Sequence, residues 1–166
     1  SISKAAAEKF GLGWGSFGEE VRKTASARSL PLDRRSLQEL GAELVQSSPE
    51  EFCRAVISSA EKGSEHGVVI DGIRHLRIWE QLKRLMGHAE TMLIFVEVPE
   101  LVRMDRLKQR PEFSPETRMA YEAHSTEHEV QTLRSVADLV LRNVDGIGSV
   151  LEQLAGFVES RKVLAS

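Results

Sequence analysis

The chain has 166 residues, of which 41% are hydrophobic and 28% are charged, as expected for one globular domain with a sizeable core. Its 22 Lys and Arg residues against 25 Asp and Glu residues give a formal net charge of -3, which excludes a chain-wide cationic surface for non-specific nucleic-acid binding. The single cysteine, Cys53, excludes an internal disulfide and a CxxC metal pattern. The longest strongly apolar run, residues 92–96, is far shorter than the roughly 20 residues that span a bilayer. We therefore expect a cytoplasmic protein without a membrane segment.

Helical and strand patterns alternate along the chain. Apolar residues at helical spacing, with capping or breaking residues near the ends, predict helices over 2–10, 19–28, 33–46, 48–62, a stretch from Leu76, 99–110, 114–135 and 147–160. Continuous apolar runs predict buried parallel strands at 67–71 and 92–98, and weaker signals predict strands at 14–17 and 137–141. This alternation predicts an α/β fold with a mostly parallel sheet, whose ligands bind at the carboxyl ends of the strands.

Arginines follow several of these elements. Arg22 follows the first strand, and Arg74 comes directly after the strand at 67–71. Arg106 and Arg110 are four residues apart and share one helix face. Because a planar guanidinium donates paired hydrogen bonds to a phosphate, several converging arginines would bind a polyanion. For any single arginine, a solvated surface position with local ion pairs is the alternative.

Asp71 ends the apolar strand at 67–71 and has two interpretations. It could order the water shell of Mg²⁺, as acids at strand ends do in phosphate-transferring proteins. It could instead cap the following helix, with Gly72 permitting the turn.

Four segments carry a family resemblance. Ser16-Phe17-Gly18-Glu19-Glu20-Val21-Arg22 is similar to a Ser-Thr-Gly-Asp-x-x-Arg motif, and Asp71-Gly72-Ile73-Arg74 to a shortened Asp-Gly-Phe-Pro-Arg motif. Met104–Arg110 resembles the beginning of a lid, and Val144-Asp145-Gly146 a loop before the last helix. With Glu8–Gly11 they are collinear over nearly the whole chain. On these motifs the chain resembles the adenylate-kinase-like nucleoside monophosphate kinases of the P-loop superfamily.

The resemblance implies a single three-layer α/β/α domain, with an acceptor-side helical subdomain over about 19–62 and a lid over about 111–130. It implies transfer of the γ-phosphoryl group of ATP, with Mg²⁺, to a nucleoside or deoxynucleoside monophosphate. The implied acceptor-binding residues are Ser16, Phe17, Gly18, Arg22, Gly72 and Arg74. The implied ATP-binding residues are Ser1, Arg106, Arg110, Arg118, Val144, Asp145 and Gly146. The implied metal-binding residues are Ser1 and Asp71, and the implied catalytic residues are Arg74, Arg106, Arg110 and Asp71. No nucleic-acid polymer or membrane is an expected partner, and the protein would be a monomer or homodimer.

Two departures from the family pattern matter. Phe17 replaces the Thr that helps to orient the acceptor base. No G-x-x-x-x-G-K-[ST] motif occurs in the 166 residues, and Ser1 would stand at or one place beyond the hydroxyl that holds Mg²⁺. We expect residues before Ser1 to supply this loop and its strand; the alternative is a natural or engineered version without donor-phosphate machinery. Without that strand, the predicted strands at 67–71 and 92–98 would be separated, and their edges would lack a hydrogen-bonded partner.

Two other functions remain open from the sequence. The first is a kinase-like module that senses a nucleotide or binds a protein without catalysis. The second is a phosphotransferase for another small acceptor, such as dephospho-coenzyme A.

Overall fold

Helices and strands alternate in the structure, a computed structural model that describes residues 1–62, 64, 66–87, 89–100, 102 and 126–164. Within these ranges there are seven helices and four strands. In chain order they are α1 (Ile2–Phe10), β1 (Gly13–Ser16), α2 (Phe17–Ala27), α3 (Arg34–Ser47), α4 (Pro49–Glu61), β2 (Val68–Asp71), α5 (Leu76–Met86), β3 (Ile94–Glu97), α6 (Thr126–Ser135), β4 (Leu139–Arg142) and α7 (Ile147–Leu164). The predicted α/β class is confirmed. No helix in the described part of the chain is both long and apolar enough to cross a membrane.

The element boundaries follow local capping chemistry. Helix α2 begins at Phe17, two residues before the predicted start, because the Ser16 hydroxyl accepts a hydrogen bond from the Glu19 amide at 3.4 Å. Helix α4 begins at Pro49, whose fixed φ suits the first helical position. The predicted helix over 99–110 and the predicted lid over 111–130 lie mostly outside the described residues.

The four strands form two parallel pairs. In the first sheet β1 pairs with β2, so that Trp14 lies opposite Val69 and Ser16 opposite Asp71. In the second sheet β3 pairs with β4. The parallel pairing agrees with the prediction, and β2 and β3 belong to different sheets.

The chain divides into two compact units, Ser3–Thr91 with Ser1, and the part from Met92 onward. In the first unit α4 packs on the face of the sheet that carries Gly13 and Gly15. Helices α2 and α4 meet through the rings of Phe17 and Phe52, whose centroids are 4.9 Å apart at an interplanar angle of 74°. This edge-to-face contact of two buried rings joins the beginning of α2 to the core.

In the second unit β3 and β4 are joined at their beginnings by Asp138. Its carboxylate accepts a hydrogen bond from the Leu93 amide at 2.7 Å, and its own amide donates to the Leu93 carbonyl at 2.9 Å. Helix α7 contacts β4, and the buried side chains of Val150 and Leu154 on this helix, with Leu141 on β4, belong to the core.

The burial of β2 and β3 differs from the prediction. Continuous apolar runs predicted strands covered on both faces, but every residue of β2 and β3 is half-buried. Within the described residues each of these strands has one hydrogen-bonded neighbour, which leaves its other edge without a paired strand there.

Candidate functional site

The carboxyl ends of β1 and β2 meet at one edge of the first sheet. Parallel pairing places Ser16 beside Asp71, so the segments that follow both strands leave the sheet together. Gly72 has φ of 82°, and a Cβ atom at this position would lie 3.4 Å from Phe17 Cβ and 3.5 Å from the Gly18 nitrogen. The structure thus brings together Ser16, Phe17, Gly18 and Gly72, all of which the sequence predicted for acceptor binding.

The beginning of α2 gives this edge its electrostatic character. The first amides of a helix carry partial positive charge and are suited to an anionic ligand. The Phe17 side chain is 5% exposed and packs against Phe52. The backbone of Phe17 therefore lies at this edge, whereas its ring is buried in the core.

The two arginines predicted to hold an acceptor phosphate are accessible. Arg22 lies on α2, with its guanidinium nitrogen Nη1 3.0 Å from Oε1 of Glu19 and the side chain 55% exposed. The same Nη1 atom is 3.7 Å from the place that a Cβ atom on Gly18 would occupy. Arg74 is exposed, two residues beyond Gly72 in the loop between β2 and α5. Ion pairs between exposed side chains are weak, so the pair with Glu19 leaves Arg22 available to a phosphate.

Two serines at the beginning of α1, its N-cap residue Ser1 and Ser3 in its first turn, contact Asp71. Ser1 Oγ lies 3.5 Å from Asp71 Oδ2 and 2.8 Å from Ser3 Oγ. The Ser3 hydroxyl donates a short hydrogen bond to the same Asp71 oxygen. Ser1 also caps α1, accepting a hydrogen bond from the Lys4 amide at 3.3 Å. The two residues predicted to hold a metal are therefore neighbours, and Ser3 is a third polar group that the sequence analysis did not single out.

Trp14 extends this cluster from the middle of β1. Its indole nitrogen Nε1 donates a hydrogen bond to Ser3 Oγ at 3.1 Å, and Lys4 Nζ lies 5.7 Å from the ring centroid. Because side chains alternate along a strand, Trp14 and Ser16 face away from the helix that packs on Gly13 and Gly15. In the sequence, Ser3 is marked only by its position two residues after Ser1. Serines are common at the beginnings of helices, so this position did not point to a site.

One of the two interpretations of Asp71 is wrong. Helix α5 begins at Leu76, its N-cap residue is His75, and Asp71 is the last residue of β2. Asp71 therefore does not cap the following helix. Its carboxylate is directed instead to the serines at the beginning of α1.

The oxygen donors of Ser1, Ser3 and Asp71 fit a hard cation. Mg²⁺ takes oxygen ligands and is commonly bound through one or two carboxylates, water and substrate phosphates rather than by a complete protein cage. Among the described residues there is no group of three or more His, Cys, Asp or Glu side chains that could hold a metal. An open surface hollow of about 590 Å³ is lined by Glu80, Lys83 and Arg84 on α5, and none of these three is a predicted site residue.

The remaining predicted residues belong to the second unit or lie outside the described part. Val144, Asp145 and Gly146 form the turn between β4 and α7, where Val144 is 46% exposed and Gly146 has φ of 104°. The turn is anchored by Asn143, whose amide donates to the Glu97 carbonyl at 2.8 Å. Arg106, Arg110 and Arg118 lie outside the described residues.

No protein-family model and no curated protein matches the chain. A function for this protein is therefore inferred from the chemistry of this sheet edge and from the motifs in the sequence.

Proposed function

We propose that the protein is a phosphotransferase that moves the γ-phosphoryl group of ATP to a nucleoside or deoxynucleoside monophosphate. One observation carries the proposal: Ser1 Oγ and Asp71 Oδ2, 3.5 Å apart, lie at the same sheet edge as Ser16, Gly18 and Gly72. A cation-binding pair beside an anion-binding helix terminus is what transfer between two phosphates requires. The proposal includes the three-layer α/β/α arrangement of the P-loop kinases, supported by the parallel pairing in both sheets.

On the acceptor side, Arg22 and Arg74 bind the monophosphate and hold it in line with the transferred group. The exposure of both side chains supports this role, since each guanidinium can turn toward a phosphate and donate two parallel hydrogen bonds. No general base is required, because an oxygen of the acceptor phosphate is already ionised at neutral pH. These arginines therefore contribute by orientation and charge neutralisation.

On the donor side, the Ser1 hydroxyl and the Asp71 carboxylate would hold Mg²⁺, which would supply charge neutralisation for the donor phosphates. From the family motifs alone, we assign Arg106, Arg110 and Arg118 to the donor phosphates and the backbone of Val144, Asp145 and Gly146 to the donor base.

The assay that tests the proposal couples ADP release to each nucleoside and deoxynucleoside monophosphate in turn. For an acceptor nucleotide that is turned over, we expect Arg74→Ala to raise the KM about 10- to 100-fold. This is the factor that corresponds to the loss of one hydrogen bond to a charged group. The KM for ATP changes little. Arg77→Ala is the matched control, because Arg77 is another exposed arginine three residues later, on α5. Equal weakening of both substrates by Arg74→Ala would contradict the assignment.

A different acceptor is favoured by one observation. The family's Thr presents a hydroxyl to the acceptor base, whereas the Phe17 ring is buried against Phe52. Without that hydroxyl the site lacks one contact that selects the base of a monophosphate, so a larger phosphorylated acceptor such as dephospho-coenzyme A is the second candidate. Turnover of that acceptor and of no monophosphate would establish this second candidate. Failure to bind ATP at all would favour a kinase-like module that senses a nucleotide or binds a protein without catalysis.

A further inference from the structure

The cluster around Asp71 contains one side chain that has no part in the proposed reaction. Trp14 donates its indole N–H to Ser3 Oγ at 3.1 Å. A hydroxyl that accepts from an indole directs its own hydrogen elsewhere, and the Ser3 hydroxyl donates to Asp71 Oδ2. The indole N–H can only donate, and the carboxylate oxygen is the acceptor, so the two hydrogen bonds run from Trp14 to Ser3 and from Ser3 to Asp71.

We propose that Trp14 and Ser3 are positioning residues that hold the Asp71 carboxylate in the orientation in which it binds a divalent cation. The inference rests on the proposed function, because it assigns a purpose to residues beside the proposed metal pair. Groups that hydrogen-bond to a metal ligand fix its orientation, and their removal commonly costs 10- to 100-fold in metal affinity.

Both ends of the hydrogen-bond relay from Trp14 through Ser3 to Asp71 lie on one pair of strands. The indole is half-buried, with the amino group of Lys4 5.7 Å from the ring centroid. Its strand is hydrogen-bonded to β2, with Trp14 opposite Val69, two residues before Asp71 on the same face of the sheet. The donor and the carboxylate at the two ends of the relay are thus held by one pair of strands, while Ser3 comes from α1. Rotation of the carboxylate would break the Ser3 hydrogen bond.

The first experiment tests the relay without any metal. The indole ¹H–¹⁵N signals of Trp14 and Trp79 are followed by NMR in the protein and in Ser3→Ala and Asp71→Asn. Both substitutions shift the Trp14 signal, because each changes the acceptor that the indole N–H meets, directly or through Ser3. The Trp79 signal stays, since that ring is buried in α5 with Lys83 Nζ 5.3 Å from its centroid. A Trp14 signal unmoved by Ser3→Ala would overturn the relay.

The second experiment measures the dissociation constant for Mn²⁺, by electron paramagnetic resonance of the free ion. Trp14→Phe keeps most of the ring and removes the N–H, and we expect it to weaken Mn²⁺ binding about tenfold. Ser3→Ala does the same, whereas Ser3→Thr retains the hydroxyl and binds Mn²⁺ like the unaltered protein. Trp79→Phe is the matched control, and it leaves the affinity unchanged.

The variants separate failure of this proposal from failure of the proposed function. If Asp71→Asn lowers Mn²⁺ affinity but Trp14→Phe and Ser3→Ala do not, the positioning role is wrong and the metal pair stands. If none of the variants, including Asp71→Asn, changes Mn²⁺ affinity, the metal pair itself is wrong. Thermal unfolding of each variant identifies any that do not fold, and the Ser3→Ala and Ser3→Thr pair decides the result if Trp14→Phe is one of them.

Discussion

A Cβ atom built on Gly13 would lie 2.0 Å from the carbonyl oxygen of Ala60. The backbone of α4 therefore approaches β1 so closely that only a residue without a side chain fits at this point. Gly15, on the same face, repeats the approach, with its hypothetical Cβ atom 2.8 Å from the Val56 carbonyl oxygen. This contact fixes the sheet whose other face carries Trp14 and Ser16, and so determines where the candidate site lies.

Gly13→Ala should destabilise the protein strongly. Since the new methyl group meets a backbone carbonyl and not a flexible side chain, α4 must move, and we expect the free energy of unfolding to fall by about 3 kcal/mol, the upper part of the range for overpacking. Urea denaturation measures the change.

Gly41→Ala is the control for this substitution. Gly41 lies inside α3, and a Cβ atom there would be 3.7 Å from Val21 Cγ2, an ordinary contact. Helix propensity then favours Ala by up to about 1 kcal/mol. Opposite signs are expected for the two variants; a similar small change in both would contradict the close approach of α4.

Cys53 should make the stability of the protein fall at alkaline pH. The side chain is completely buried, and this burial raises the pKa of its thiol from 9.0 to about 11. Between these values the unfolded chain loses the proton and the folded chain keeps it, so rising pH favours unfolding. The free energy of unfolding should fall by about 1.4 kcal/mol per pH unit from this group, as measured by urea denaturation from pH 8 to 11.

Cys53→Ala removes this contribution while other groups still titrate. The difference between the two pH profiles should therefore be flat below pH 9 and slope above it. Parallel profiles would show that the thiol is not protected. A thiol reagent at pH 8 gives an independent check, because the native protein should react only as fast as it opens.

Asp33 should make α3 sensitive to acid. Its carboxylate accepts a hydrogen bond from the Ser36 hydroxyl at 2.7 Å and another from the Ser36 amide at 3.1 Å. These two bonds lower the pKa of Asp33 below its usual 3.8. The stabilisation is thus fully present above that usual value and is lost as pH falls through the lowered one.

Amide hydrogen exchange in the first turn of α3 measures this effect. Asp33→Asn keeps an N-cap side chain that does not titrate, so the protection of these amides relative to intrinsic exchange should lose its dependence on acid. Asp33→Ala should speed exchange at every pH. An unchanged acid dependence in Asp33→Asn would assign the effect to another group.

Gln153 should protect the outer edge of β4. Its Oε1 accepts from the Arg142 amide at 3.3 Å, and its Nε2 donates to the Arg142 carbonyl at 2.9 Å. The side chain of α7 thereby completes the strand's hydrogen bonds in place of another strand. With Gln153→Ala, the Arg142 amide should exchange about fivefold faster, the equivalent of one hydrogen bond worth about 1 kcal/mol. The neighbouring exposed Glu152 provides the control, Glu152→Ala, in which exchange at Arg142 should not change.

The boundaries of most helices were predictable because their signals are local. Pro49 at the start of α4 and Gly11 after α1 act within one turn of the residues they punctuate. The apolar run before Asp71 likewise identified a parallel strand. The number of hydrogen-bonded neighbours of a strand was not predictable from its own residues. For that reason the prediction of full burial missed the half-buried state of β2 and β3.

The candidate site was predictable in part. Motif spacing pointed to Ser16, Gly18 and Gly72, since residues that follow parallel strands must leave the sheet at one edge. It did not point to Ser3, because the hydrogen bond from Ser3 to Asp71 joins residues 68 positions apart. The residues around Ser3 and around Asp71 do not by themselves indicate that these two side chains meet in the folded protein.

By itself, then, the sequence determined the α/β alternation, the parallel strands and the polar residues that end them, because periodicity and capping act over a few residues. Tertiary structure alone decided that Asp71 turns to the serines of α1 and not to α5, that the Phe17 ring is buried, and that Trp14 contacts Ser3. These choices depend on the packing of helices against a sheet face, which is set by contacts between distant segments.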